Sequence, residues 1–327
     1  MPRLGRYRFS FDTWRIVSLE EEHLEESGDI GDPDIEGVPW KPIEGKPWEG
    51  VSVVFVDGVR RTENLIYIED ERGNFWEGAF VSVAAGALLM KQGRTNTAQD
   101  SLREFLLRRF LFVRGEVDIG EDRLTFELDP VRIEFRVESV EGEISLYVNK
   151  AMADLELAVA ERSYRRLKPD LILTDGTVHY SAAVKKLPFV GYVKKHRRMY
   201  IPAERTHILR ELSVGQRTPL VLIHSQPTMD SRESSALDKL TWYVRIGGEE
   251  GVSGIARLEI SAGVGVEKAR EIADATAWLV PLFASTEFTD RRAPHNLLPI
   301  KHLENALRRR LGSQTLIRRT IASQLSR

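Results

Sequence analysis

Val51-Ser52-Val53-Val54-Phe55-Val56-Asp57-Gly58 is the stretch on which the fold turns. An apolar run of strand length, interrupted by one serine, predicts a central strand buried on both faces. It closes on an acid and a glycine, and the same form returns as Leu171-Ile172-Leu173-Thr174-Asp175-Gly176. If the two strands are neighbours, both carboxylates emerge near one point of a sheet. Carboxylates brought together in this way repel unless a divalent cation lies between them, and hard oxygen ligands suit Mg²⁺ or Mn²⁺. Asp-Gly is also a frequent turn, so each pair read alone is a strand end.

Working outward, Arg61–Glu69 and Phe75–Val83 read as further strands. Turns at Asp57-Gly58 and Arg72-Gly73-Asn74 would link them into an antiparallel meander. Ala98–Phe112 reads as a helix. Val113–Val140 alternates apolar and charged residues and reads as short strands, so that residues from about 98 to 147 form a small β-rich insertion lying over the main sheet. Asn149–Lys168 is the clearest helix, and Pro169 ends it. Strands follow at Pro188–Val193, Pro219–Ile223, Leu240–Ile246 and Ile255–Ile260, with helices at Val266–Val280, Leu297–Leu311 and over the last dozen residues. Three meandering strands, then helix and strand in alternation, is the element order of the ribonuclease H-like fold. The expected architecture is therefore α/β: a ribonuclease H-like mixed sheet flanked by helices over residues 50–312. An extended, loosely held acidic arm (1–49) precedes it, and a C-terminal helix (313–327) follows.

The 327 residues carry 47 Lys or Arg against 49 Asp or Glu, a net charge of −2. Glu20–Glu36 holds nine acids and no Lys or Arg, so without it the balance is about +7 and the body is mildly basic. An apolar share of 42% excludes a mainly disordered chain. The absence of cysteine excludes disulfides, thiolate zinc sites, iron–sulfur clusters and a cysteine nucleophile. Met1–Ser18 has no apolar signal core, and no run approaches the roughly 18 apolar residues of a membrane span. A soluble, cytoplasmic protein is expected.

On the Asn149–Lys168 helix, Glu156 has Met152, Ala153, Val159 and Ala160 at helical spacing, which places it on the buried stripe. A lone buried carboxylate is costly without a partner or metal, unless it snorkels at the stripe edge. Glu161 and Asp154 have charged neighbours and read as solvated. Asn296 is placed to cap the helix that follows. His302 within that helix is a candidate for the nitrogen ligand of an oxygen-rich site, with His179 and His224 as rivals. Positive potential for phosphates gathers at Arg60, Arg61, Lys194, Lys195, Arg197 and Arg198 and over residues 298–327. Phe110, Phe112, Tyr192, Tyr200 and Trp242 are either core residues or stacking surfaces for single strands.

This constellation resembles the NurA nuclease family. The resemblance rests on Phe55-Val56-Asp57-Gly58, the Glu156 helix, Leu173-Thr174-Asp175-Gly176-Thr177, and Asn296-Leu297-Leu298-Pro299-Ile300 before an arginine-rich helix. It covers most of residues 50–312 in order and spacing. Val59 and Thr177 follow the Asp-Gly pairs, where the family usually has serine. Pro294-His295 and Lys301-His302 stand in the region of the family's late motif. The resemblance implies a metal-dependent DNA nuclease of end resection and double-strand break repair. Asp57, Glu156 and Asp175 would be acidic ligands, and His302 the late ligand, of two Mn²⁺ or Mg²⁺ ions. It further implies 5′-to-3′ exonuclease and single-strand endonuclease activity, a homodimer, and a HerA-type hexameric ATPase as partner. The acidic arm and the C-terminal helix are candidate docking surfaces, although the stripe Leu311, Leu316, Ile317, Ile321 and Leu325 equally suits the protein's own core. Competing readings are another ribonuclease H-like enzyme (Piwi-type or resolvase), or an inactive scaffold binding DNA or an ATPase. The scaffold is favoured if Glu156 faces solvent and the two aspartates stand apart.

Overall fold

The computed structural model describes residues 3–4, 7–11, 28–91, 102–117, 119–128, 131–177, 186–194, 198–224, 238–248, 254–286 and 293–325. Four short strands come first: β1 (Arg3–Leu4), β2 (Tyr7–Phe11), β3 (Asp29–Ile30) and β4 (Ile43–Glu44). Three long ones follow: β5 (Ser52–Glu69), β6 (Phe75–Lys91) and β7 (Leu102–Arg114). Next are β8 (Arg123–Leu128), β9 (Val131–Val140), helix α1 (Ile144–Leu167), β10 (Leu171–Asp175) and β11 (Phe189–Val193). The short α2 (Ile208–Glu211), β12 (Gln216–Arg217), β13 (Val221–His224), β14 (Lys239–Arg245) and β15 (Ile255–Ser261) lead to α3 (Val266–Phe283), α4 (Leu298–Arg310) and α5 (Gln314–Leu325).

The strands form one mixed sheet whose main path is β3-β13-β14-β15-β11-β10-β5-β6-β7-β9-β8. At its centre β5 pairs antiparallel with β6 over its whole length, while β10 lies parallel to β5 and β11 parallel to β10. Side chains of β5 alternate between two cores. Val53, Phe55 and Val59 pack with Leu279 of α3 and Leu303 and Leu307 of α4. Val54 and Val56 pack with Val148, Leu155 and Val159 of α1. Burial on both faces is why the strand reads as an unbroken apolar run. Among the described residues, no helix is long and apolar enough to cross a membrane.

Several expectations need correction. Asp57-Gly58 is not a turn: β5 runs on through it, with Gly58 opposite Ala85 and one bulge between Thr62 and Asn64. Gly176, at φ 90°, does stand just past a strand end. The helix expected at 98–112 is instead strand β7 over its described part, hydrogen-bonded to β6 from Leu102 to Val113. Both faces of the sheet are covered there, and a strand apolar on both faces mimics a helical stripe. β8 and β9 extend the sheet edge beside β7 rather than lying over it. Helix α1 starts five residues before Asn149 and ends on Lys168, held left-handed at φ 46°.

The arm between 28 and 50, expected to lie loosely, is laced to the sheet. β3 pairs with β13 and β4 with β12. Glu36 is buried against Arg217, its oxygens 2.7 and 2.9 Å from the guanidinium nitrogens, and it also accepts the Leu220 N–H. Ile317, Ile321 and Leu325 of α5 are buried with Phe126, Ile133 and Phe135 of the edge strands. The C-terminal helix therefore closes the protein's own core, and of its stripe Leu316 is the exposed member.

Candidate functional site

β10 aligns with β5 so that Leu173 faces Phe55 and Thr174 faces Val56. One step further brings Asp175 level with Asp57. Both follow the parity of Leu173 and Phe55, so they share the face covered by α3 and α4, on parallel strands about 4.8 Å apart. β10 ends at Asp175. Among the described residues, β5 has no further partner on that edge until β2 joins at Ile66–Glu69. Among the described residues this leaves a notch in the sheet beside Asp57.

Helix α1 covers the opposite face and sends Glu156 into this notch, where its carboxylate accepts the Gly58 N–H. The close approach depends on glycine. A Cβ at Gly58 would lie 2.7 Å from Met152 Cγ and 3.1 Å from Glu156 Cδ, inside contact distance. Three carboxylates from widely separated segments thus act on one another around the end of β10. Asp154 is exposed, and Glu161 pairs with Arg165 at 3.0 Å.

The charges are mutually felt. Burial, then the Asp175 and Glu156 charges, push the Asp57 carboxyl well above its usual range. Glu304 of α4 adds to this, and Lys194 opposes it. Burial and the Asp175 charge raise Glu156 to about 8 against the pull of Arg60 and the Gly58 N–H. Burial and Asp175 also push up the Tyr192 phenol. Lys194, directly after β11, places its Nζ 2.6 Å from Asp175 Oδ2 and 3.2 Å from Asn296 Oδ1.

The other sequence candidates fall as follows. His302 is exposed on α4, and a position two residues away on a helix lies about 200° round the axis, so Glu304 rather than His302 is turned towards the acids. His224 sits on β13, four strands from β10 and so about 19 Å away, bonded to Asp238 at 2.9 Å. His179, Lys195 and Arg197 lie outside the described residues. Arg60 acts on Glu156. Arg61 is committed elsewhere: its guanidinium grips buried Glu63 at 2.8–3.1 Å and donates to the Gly312 carbonyl beyond α4. Arg198 pairs with Asp29 at 2.9 Å and lies over the Tyr200 ring. Phe110, Phe112, Tyr192, Tyr200 and Trp242 are all buried, so they are core residues and present no stacking surface.

Glu304 is the acid the sequence reading missed. Its neighbour Leu303 and the next-turn Leu307 mark a buried stripe that could have pointed to it, while Arg308 at i+4, with which it pairs at 2.7 Å, is the pattern of a solvated face. Among the described residues, no three Asp, Glu or His side chains form a ready-made cage for a single ion. The donor chemistry nevertheless fits Mg²⁺ or Mn²⁺: the site offers oxygen ligands alone, and burial and mutual repulsion favour a cation beside Asp57 and Glu156.

No curated protein matches the chain. Among the solved structures that align with it are a crystal structure of NurA bound to dAMP and manganese and one of NurA with manganese, at 17% and 19% identity. Each alignment covers 46% of this chain and 24% of the other, at a TM-score of 0.20, so neither overlay carries an argument about fold or site. A family model for the NurA domain matches residues 106–309, a span that runs from β7 into α4. It takes in Glu156, Asp175, Lys194, Asn296 and Glu304, while Asp57 lies ahead of it. The matched span exceeds half of the chain, which therefore belongs to the NurA domain family.

Proposed function

We propose that this protein is a divalent-metal-dependent nuclease that hydrolyses phosphodiester bonds in DNA, built on a ribonuclease H-like core. One observation supports the reading above the others: Asp57, Asp175 and Glu156, around the end of β10, each feel the charge of another. Family membership supports it. So does the order β7-β6-β5-β10-β11, in which two antiparallel hairpin neighbours precede two parallel additions. The metal and the substrate class rest on membership of the NurA family, of which two crystal structures hold manganese and one of them dAMP. An inactive scaffold fits less well, because Glu156 faces β5 rather than open solvent and the aspartates share a face.

Bound metal would activate water and stabilise the leaving oxygen. The chain's own residues supply the rest. Asp57 and Asp175 present adjacent carboxylates on one face, and Glu156 adds a third through the notch. Arg60, whose charge acts on Glu156, would offer its guanidinium to an approaching phosphate. Exonuclease action from 5′ to 3′, single-strand endonuclease activity, a homodimer, a HerA-type ATPase partner and a role in break repair belong to the same proposal and rest on the family.

End-labelled single-stranded DNA incubated with the purified protein tests the reading. Cleavage is expected with Mn²⁺ or Mg²⁺, lost with chelator, and lost in Asp57→Asn. An Asp57→Asn protein that still cuts in a metal-dependent way would sink it.

A further inference from the structure

Lys194 is held too firmly to be a surface lysine swept against an acid. Its side chain is 21% exposed, and its Nζ bridges Asp175 Oδ2 at 2.6 Å and Asn296 Oδ1 at 3.2 Å. The cradle is itself fixed. Asn296 is buried, the Ser285 N–H donates to its carbonyl at 2.8 Å, and the Tyr192 hydroxyl donates to the neighbouring His295 carbonyl at 2.8 Å. Tyr192 stands opposite Asp175 in the ladder, so the lysine, the loop and the acid are positioned by the same strand pair. The ammonium thus occupies one oxygen of the carboxylate that a divalent ion would use.

We propose that Lys194 is the built-in counter-ion of the metal-free site. Its ammonium neutralises Asp175 until a divalent cation takes that carboxylate, and the displaced lysine, still tethered through Asn296, is then free to contact a phosphate oxygen of the substrate. This rests on the metal-dependent reading above. The exchange follows from chemistry. A lone pair given to the ammonium is withheld from the metal, and the like charges repel once the metal is bound. Lys194 therefore stabilises the empty site and weakens metal binding, the reverse of a residue that merely supports the ligands.

Mn²⁺ binding measured by calorimetry without DNA tests this, with wild type, Lys194→Gln and Asn296→Ala compared and folding checked by circular dichroism. Lys194→Gln is expected to bind Mn²⁺ about tenfold more tightly, the size of one lost charge-assisted hydrogen bond, and to melt at a lower temperature without metal. Asn296→Ala should tighten binding by a smaller factor, and it decides the matter if Lys194→Gln does not fold. Mn²⁺ binding by the variants but not by wild type also supports the proposal. Equal or weaker binding by folded variants, with wild type still binding, overturns this inference alone. Absence of binding in all three proteins overturns it together with the nuclease reading.

Discussion

Glu156 carries the sharpest pH signature. Its folded carboxyl keeps its proton up to about 8, whereas the unfolded one releases it near the ordinary 4.5, so between those values the folded state binds more protons. Metal-free stability therefore falls as pH rises through this window. Melting temperature followed from pH 5 to 8.5 should decline, and the decline should shrink in Glu156→Gln. Parallel curves for the two proteins would remove Glu156 as the cause. Gly58 is equally specific. Gly58→Ala drives a methyl group into Met152 and Glu156, an overpacking cost of about 1–3 kcal/mol, and should weaken Mn²⁺ binding in the same protein. Denaturant unfolding and calorimetry check both, and unchanged values would mean α1 sits less tightly than described. Asp57 and Asp175 stood out in the sequence because each closes a buried apolar strand, and Glu156 because its helical neighbours are apolar. Gly58 was misread because Asp-Gly signals a turn and says nothing of a helix crossing above it. Glu304 was hidden by an ordinary i,i+4 pair.

Most strands and helices from β10 onward were read within a few residues, whereas β7 and the arm, whose partners lie far off in the sequence, were not. α3 and α4 were found within a few residues because each shows one apolar stripe. β7 was taken for a helix because Leu102, Phe105 and Leu106 mimic helical spacing, while its pairing with β6 and β9 is not visible in local sequence. The acidic arm shows the same limit. Its composition suggests an extended segment, but buried Arg217 converts Glu36 into an anchor. Asp274 accepts from Arg217 Nε at 2.8 Å and pairs with Lys46 at 2.6 Å, so two acids and two bases join β12, α3 and the arm. Removing one partner leaves buried charge poorly compensated. Glu36→Ala should cost about 3 kcal/mol, read as a lowered denaturant midpoint. A loss within about 0.5 kcal/mol, the usual size for a surface change, would show that the arm is held by its strand pairing alone.

At the scale of the whole molecule, a wide mixed sheet is closed on both faces by helices, and every long helix has a buried stripe on it. This changes the expectation for the C-terminal helix. Deleting residues 314–327 uncovers Phe126, Ile133 and Phe135, so the truncated protein should lose solubility and melt earlier, whatever its partner. Sizing and melting of the truncation check this, and a stable, monodisperse product would assign α5 to an assembly surface instead. On the proposed function, the point where β10 stops and β5 continues would hold divalent metal. Anomalous diffraction from crystals soaked in Mn²⁺ tests it most directly. The account predicts a peak within about 2.3 Å of carboxylate oxygens of Asp57 and Asp175, the reach of a hard-cation ligand bond. A well-ordered crystal with no peak there, or with its strongest peak elsewhere, would contradict it.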